Sequence, residues 1–151
     1  MSYTLDVWYY TDTHDADEPV SVRSESDLEL VLRELVEHEQ PHPTQVSAPE
    51  LPTRGLAEIP DRMFKIGVAH RGEVGAMLYF GPTSEGVEGI WMTRADEPAG
   101  DAPTLYRDVD SRREFPADAV LPLSSVGKAL REFQSTGVRP DCVQWQEADT
   151  F

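Results

Sequence analysis

The sequence predicts an α+β fold, an antiparallel β-sheet meander with two helices packed on one face. Two segments carry apolar residues at helical spacing, and each therefore has one side to bury. Between them, apolar and polar residues alternate with period two, and short turns separate the runs, which favours antiparallel hairpins. With 151 residues, of which 39% are hydrophobic, the chain is long enough for one core. We therefore expect residues 1–151 to form a single domain.

The first strand and the first helix occupy the N-terminal third. Residues 3–10 alternate, with tyrosine, leucine and valine on one face, and Val20 and Val22 are expected to add a short edge. Ser26 and Glu29 have the spacing of a capping box, which predicts that Ser26 is the N-cap of the first helix. The apolar stripe of this helix consists of Leu28, Val31, Leu32 and Leu35.

The middle of the chain is expected to supply a linker and then the meander. Residues 40–53 contain four prolines and are interpreted as a linker within the domain, and residues 51–59 as a weak strand. The strands expected after it are Met63–His70, a partner around Ala76–Phe80, Ile90–Thr93, Thr104–Val109 and Arg112–Phe115.

The closing helix is the best specified element. Ser124 is its expected N-cap, Gly137 suits the left-handed residue after its last turn, and Pro140 prevents its continuation. Its apolar stripe is Val126, Ala129, Leu130 and Phe133. Residues 142–145 then predict a last short strand, with Cys142 more typical of a core residue than of a nucleophile.

The net charge of −15, with a pI near 4.5, is the strongest compositional signal. It argues against nucleic acid or an anionic membrane as a direct partner, because phosphate groups are bound by Lys and Arg. It favours a basic protein partner reached by long-range attraction, although solubility alone would also explain it. The single cysteine and the lack of a signal peptide or an apolar span indicate a cytoplasmic protein.

No residue pattern in the sequence predicts catalysis, a cofactor or a metal. His38-Glu39-Gln40-Pro41-His42 matches a zinc-protease pattern, but that chemistry needs both histidines on one continuous helix, which Pro41 interrupts. The acidic segment 11–19 lacks the spacing of a calcium loop and is interpreted as a solvated loop. We therefore expect a protein that is not an enzyme.

The candidate binding residues lie in acidic loops around one tryptophan. Loops of a meander can meet at the ends of its sheet, and carboxylates there would form an anionic patch for a cationic groove; a solvated rim is the alternative interpretation. Tryptophan is favoured at binding hot spots, although a core role suits it as well. The candidates are Glu85, Glu88, Trp91, Asp96, Glu97, Asp101, Asp108 and Asp110.

Several motifs along most of the chain resemble immunity protein family 1 of bacterial polymorphic toxin systems. These motifs are Ser24 to Leu28, Lys65 to Ala69, Gly75 to Tyr79, Phe115-Pro116-Ala117-Asp118, Leu121-Pro122, Ala129-Leu130-Arg131-Glu132-Phe133, Thr136-Gly137-Val138-Arg139-Pro140 and Trp145. The resemblance implies a non-enzymatic inhibitor that binds a cognate toxin domain, often of the nucleic-acid deaminase superfamily. Such a toxin exposes a cationic groove, which the candidate carboxylates would occupy in place of phosphates.

Two other functions remain open from the sequence. A stand-alone acidic binding or scaffold domain would show the same charge without any toxin partner. A small enzyme or ligand-binding domain would need a cavity that the residue pattern does not reveal.

Overall fold

An antiparallel sheet of eight strands is the centre of the fold in the computed structural model, which describes residues 2–97 and 102–151. The helices are α1 (Glu25–Glu37) and α2 (Leu123–Thr136). The strands are β1 (Leu5–Trp8), β2 (Val20–Val22), β3 (Thr44–Ser47), β4 (Thr53–Arg54), β5 (Ile59–Pro60), β6 (Met63–Val68), β7 (Val74–Pro82), β8 (Glu88–Arg94), β9 (Tyr106–Asp108), β10 (Arg113–Glu114), β11 (Leu121–Pro122) and β12 (Gln144–Glu147).

The strand order of the main sheet is β12-β8-β7-β6-β3-β1-β2, and β11 pairs with the start of β7. The consecutive strands β6, β7 and β8 form the expected meander in its middle, with Tyr79 of β7 opposite both Phe64 and Trp91. The predicted α+β class is confirmed. Among the described residues, none of the helices is long and apolar enough to cross a membrane.

Both helices bury their apolar stripes against the same face of the sheet. Leu28, Val31 and Leu35 of α1 are buried, and Leu32 is half-buried at the edge of that core. The stripe of α2 is buried completely, as predicted. The aromatic centre of this core is Phe64, which packs edge-on against Phe133 with ring centroids 4.9 Å apart.

The opposite face of the sheet is covered by the segment that the sequence assigned to the last two strands of the meander. Strands β9 and β10 form a separate two-stranded sheet. Leu105 and Phe115 beside them pack with Ala76 and Leu78 of β7 in a second core. The prediction that they extend the main sheet was wrong. Leu105 and Phe115 lie beside Gly67 of β6, where the missing side chain leaves room for them.

The proline-rich segment 40–53 is not only a linker. Its residues Thr44–Ser47 form β3, which lies between β1 and β6 in the middle of the sheet. Four residues are too few for periodicity to indicate a strand inside a proline-rich stretch. Residues 51–59, expected to carry a weak strand, form instead most of the small β4–β5 hairpin.

The predicted N-caps of both helices were wrong. Ser24, not Ser26, caps α1: its hydroxyl accepts from the amide of Asp27, whose carboxylate accepts in return from the amide of Ser24. Ser124 lies inside α2, which follows directly from Pro122 of β11 and has no side-chain cap. The start of α1 is thus set by the local Ser24–Asp27 capping box, whereas the start of α2 follows the pairing of β11 with β7.

The end of α2 matches the prediction at its glycine and differs after it. Gly137 adopts the left-handed conformation, with φ 73°. The last strand begins at Gln144, so Cys142 lies before it and is exposed rather than part of the core. Partial desolvation of the thiol and the charge of Glu132 raise the pKa of Cys142, which lowers its reactivity as a nucleophile.

Candidate functional site

The eight residues predicted to form an acidic patch lie in separate places. Glu85 and Glu88 are exposed at the start of β8, and Asp96 and Glu97 are exposed beyond its other end. A strand of this length spans about 20 Å. The two carboxylate pairs therefore lie at opposite ends of the sheet.

Trp91 lies between these ends, on the face that carries the helices. Its ring is half-buried and stacks on the buried Tyr79 with centroids 6.5 Å apart. The guanidinium of Arg139 lies 4.5 Å from the centroid of the Trp91 ring and 5.9 Å from that of Trp145. A cation over an aromatic face stabilises this corner of the core, so Trp91 has a structural role whatever it binds.

Asp108 and Asp110 belong to the β9–β10 hairpin, on the face opposite the helices. The carboxylate of Asp108 accepts hydrogen bonds from the Ser111 hydroxyl at 2.7 Å and from the Asp110 amide at 3.1 Å. These bonds, led by that of Ser111, hold the pKa of Asp108 below its usual range. Its charge therefore persists under mildly acidic conditions. Asp101, the remaining candidate, lies outside the described residues.

The β4–β5 hairpin lies next to Glu85 and Glu88 and was missed as a candidate. Arg54 of β4 donates to the Glu88 carboxylate at 2.8 Å, which joins the hairpin to the β7–β8 turn. Exposed apolar side chains lie close in sequence to the two residues of this contact. They are Leu56 and Ile59 of the hairpin and Val87 of the turn. In the sequence, these residues could have been noticed as a leucine and an isoleucine between Pro52 and Pro60 in an otherwise polar stretch.

The densest concentration of acidic residues is N-terminal and was also missed. Between residues 6 and 39 there are eleven acidic side chains and only two arginines. The loop that follows β1 lies beside the last turn of α1, where Asp12 is 3.9 Å from His38 and the Tyr9 hydroxyl donates to Glu34 at 3.1 Å. The carboxylates of the loop and of the helix end therefore share one surface.

The pattern His38-Glu39-Gln40-Pro41-His42 does not form a zinc site. Helix α1 ends at Glu37, and His38 already has extended backbone dihedral angles, so the two histidines do not share a helix. Across residues 2–97 and 102–151, no three or more His, Cys, Asp or Glu side chains converge as metal ligands.

Comparison with known proteins identifies the class of the chain as an immunity protein. The family model described as immunity protein Imm1 matches residues 16–147. The chain therefore belongs to the Imm1 family, which supports a toxin-neutralising immunity role. No curated protein matches the sequence.

The matched range contains both helices, the meander and all eight residues predicted to form the acidic patch. The resemblance noted in the sequence motifs is thereby confirmed. The match concerns the family and does not distinguish among the separate acidic surfaces.

Proposed function

We propose that residues 1–151 act as one immunity domain that binds and neutralises the cognate domain of a polymorphic toxin in the cytoplasm of the producing cell. The observation that carries this proposal is the family match over residues 16–147. Inhibition is by binding rather than by catalysis, and it requires no cofactor.

The partner that we propose is basic, and a nucleic-acid deaminase fits this description. Enzymes that act on nucleic acids have cationic grooves for the phosphate backbone. A net charge of −15 attracts such a groove over long range and accelerates association. The proposed binding residues remain Glu85, Glu88, Trp91, Asp96, Glu97, Asp101, Asp108 and Asp110.

The test is a binding measurement with the inactivated toxin domain encoded beside the gene of this chain. We expect a 1:1 complex by calorimetry, with a Kd that rises with NaCl concentration because salt screens the attraction. If no such domain binds at any salt concentration, the proposal fails. A stand-alone acidic binding or scaffold domain, which the net charge equally favours, would then be the better interpretation.

Three double variants, each with two charge reversals and the same change in net charge, distinguish the contributions of the acidic surfaces to binding. The pairs are Glu85→Lys with Glu88→Lys, Asp96→Lys with Glu97→Lys, and Asp15→Lys with Asp17→Lys as the N-terminal control. If carboxylates between residues 81 and 110 contact the toxin, at least one of the first two pairs will weaken binding more than the control does. Equal weakening by all three pairs would indicate long-range attraction only and would contradict the proposed contact residues.

A further inference from the structure

The β4–β5 hairpin projects from the domain and presents apolar side chains to solvent. Every residue from 52 to 59 is exposed. Leu56 at the tip is fully exposed, and Ile59 keeps 60% of its surface accessible. A leucine in this position adds nothing to the core, and its exposure has a cost of about 2 kcal/mol relative to burial. Exposed apolar groups that are contiguous mark interaction sites.

Backbone hydrogen bonds close this hairpin at its base and at its tip. Pro52 and Pro60 flank it, and the amide of Asp61 donates to the carbonyl of Pro52 at 3.1 Å across its base. At the tip, Gly55 and Glu58 both have positive φ, and the Glu58 amide donates to the Gly55 carbonyl at 3.2 Å. A pre-formed loop loses less conformational entropy on binding than a flexible one.

The neighbouring β7–β8 turn extends the same surface. Val87, with 57% of its surface accessible, is presented by a turn that the Thr83 hydroxyl organises by accepting from the amides of Glu85 and Val87. The Arg54–Glu88 contact joins this turn to the hairpin. Ile59 pairs with Arg54 across the hairpin, and Val87 precedes Glu88, so this contact brings the two apolar residues to neighbouring positions. We call Leu56, Ile59 and Val87 together the hairpin surface.

Acidic side chains surround the hairpin surface. Glu58 and Glu85 are exposed beside the apolar residues, and Glu88 shares its charge with Arg54. An apolar centre with a charged rim is the usual anatomy of a protein interface. Because this rim carries more carboxylates than cations and every residue from 52 to 59 is exposed, the complementary site is a depression with an apolar floor and with Lys and Arg at its edge.

We propose that the hairpin surface is the part of the chain that enters the cognate toxin domain, in an apolar pocket with a basic rim. This inference rests on the proposed immunity function and specifies the contact that performs it. A second copy of this chain is the less suitable occupant, because two protomers of charge −15 would bring like-charged rims together. The tip leucine is the expected anchor of the interface, and the carboxylates set its orientation.

The test combines two neutral substitutions in the hairpin, Leu56→Gln and Ile59→Thr. They remove the apolar surface without changing net charge, and Gln in an apolar pocket leaves an amide without hydrogen-bond partners. The control is Leu30→Gln on α1, an exposed leucine outside the hairpin whose accessible fraction, 61%, is close to that of Ile59. Binding is measured by calorimetry against the inactivated toxin domain encoded beside the gene, and folding by thermal denaturation.

We expect the hairpin variant to raise Kd at least tenfold with an unchanged melting temperature, and the Leu30→Gln control to bind like the wild type. Wild-type binding that the hairpin variant retains would overturn this inference while leaving the immunity function intact. Failure of the wild type to bind would overturn both. Sedimentation of the chain alone gives the remaining outcome: a dimer that the hairpin variant loses would identify a second copy as the occupant, against this proposal.

Discussion

At the scale of single residues, the start of α1 depends on which of two nearby serines caps it. Ser24 and Asp27 exchange hydrogen bonds between side chain and backbone. The amide of Arg23 also donates to Asp27 at 3.0 Å, and these bonds hold the pKa of Asp27 below its ordinary value. Ser26 has the same chemistry but lies two residues later, inside the helix.

We therefore expect Ser24→Ala to destabilise the protein by about 1 kcal/mol, the usual effect of losing an N-cap. Ser26→Ala is the matched control and should leave stability unchanged, because alanine is favourable inside a helix. Urea denaturation followed by circular dichroism measures both. A loss of stability in the Ser26→Ala variant as large as in Ser24→Ala would show that the helix begins at Ser26.

A second residue-scale feature is the ion pair at the base of the β4–β5 hairpin. Asp61 and Arg62 are largely buried and lie 2.8 Å apart, and Arg62 also donates to the carbonyl of Gly137 at 2.6 Å. The hydrogen bond from Arg62, opposed in part by burial, lowers the pKa of Asp61 below 3.8. Arg62 therefore joins the base of the hairpin to the end of α2, and the charged Asp61 carboxylate orients its guanidinium.

The lowered pKa gives a defined pH dependence. Asp61 contributes its full stability above its unfolded-state pKa of 3.8 and loses it as the pH falls through the lower native value. We expect Asp61→Asn to cost about 2 kcal/mol at neutral pH, as for a hydrogen bond to a charged group. The difference from the wild type should shrink below about pH 4. Urea denaturation of the wild type and of Asp61→Asn, from neutral pH to below about pH 4, measures this difference in stability. A difference that is independent of pH would show that the charge of Asp61 is not its cause.

At the scale of elements, the sequence was informative where a pattern is long and local. The stripe from Val126 to Phe133 predicts α2 because four apolar positions repeat at helical spacing, and all of them are buried. The short strand β3 gave no such signal, and its place between β1 and β6 depends on pairing with distant residues. Strand β3 can therefore be identified only from the tertiary structure.

The predicted acidic patch is divided in the structure for a related reason. Loops that adjoin β8 were expected to meet, but a strand sends its two flanking loops to opposite ends of a sheet, here about 20 Å apart. The sequence did not predict the hairpin surface, because residues 52–60 form only two very short strands without a periodic pattern. Their exposure is a property of the folded chain. The sequence therefore predicts the net charge of the molecule, whereas the positions of its exposed residues follow only from the folded chain.

At the scale of the whole molecule, the excess of carboxylates affects stability as well as the proposed binding to a basic partner. With 28 acidic and 13 basic side chains, the native state brings like charges together, and this repulsion destabilises the compact form. We expect the segment 6–39 to contribute most, since only two arginines accompany its eleven acidic side chains. Salt should therefore stabilise the free protein while it weakens binding to a basic partner.

We expect the melting temperature of the free protein to rise by about 3 °C, or about 1 kcal/mol, when NaCl increases from about 0.02 to about 0.5 M, since the Debye length falls several-fold. The triple variant Asp17→Asn, Glu18→Gln, Glu39→Gln removes exposed charges and should show a smaller rise. Arg71→Gln, which makes the net charge more negative, should show a larger one. Differential scanning calorimetry measures all three proteins. If salt raised the melting temperature of all three proteins equally, general solvent effects would explain the increase. Repulsion within the native state would then not account for it, contrary to this prediction.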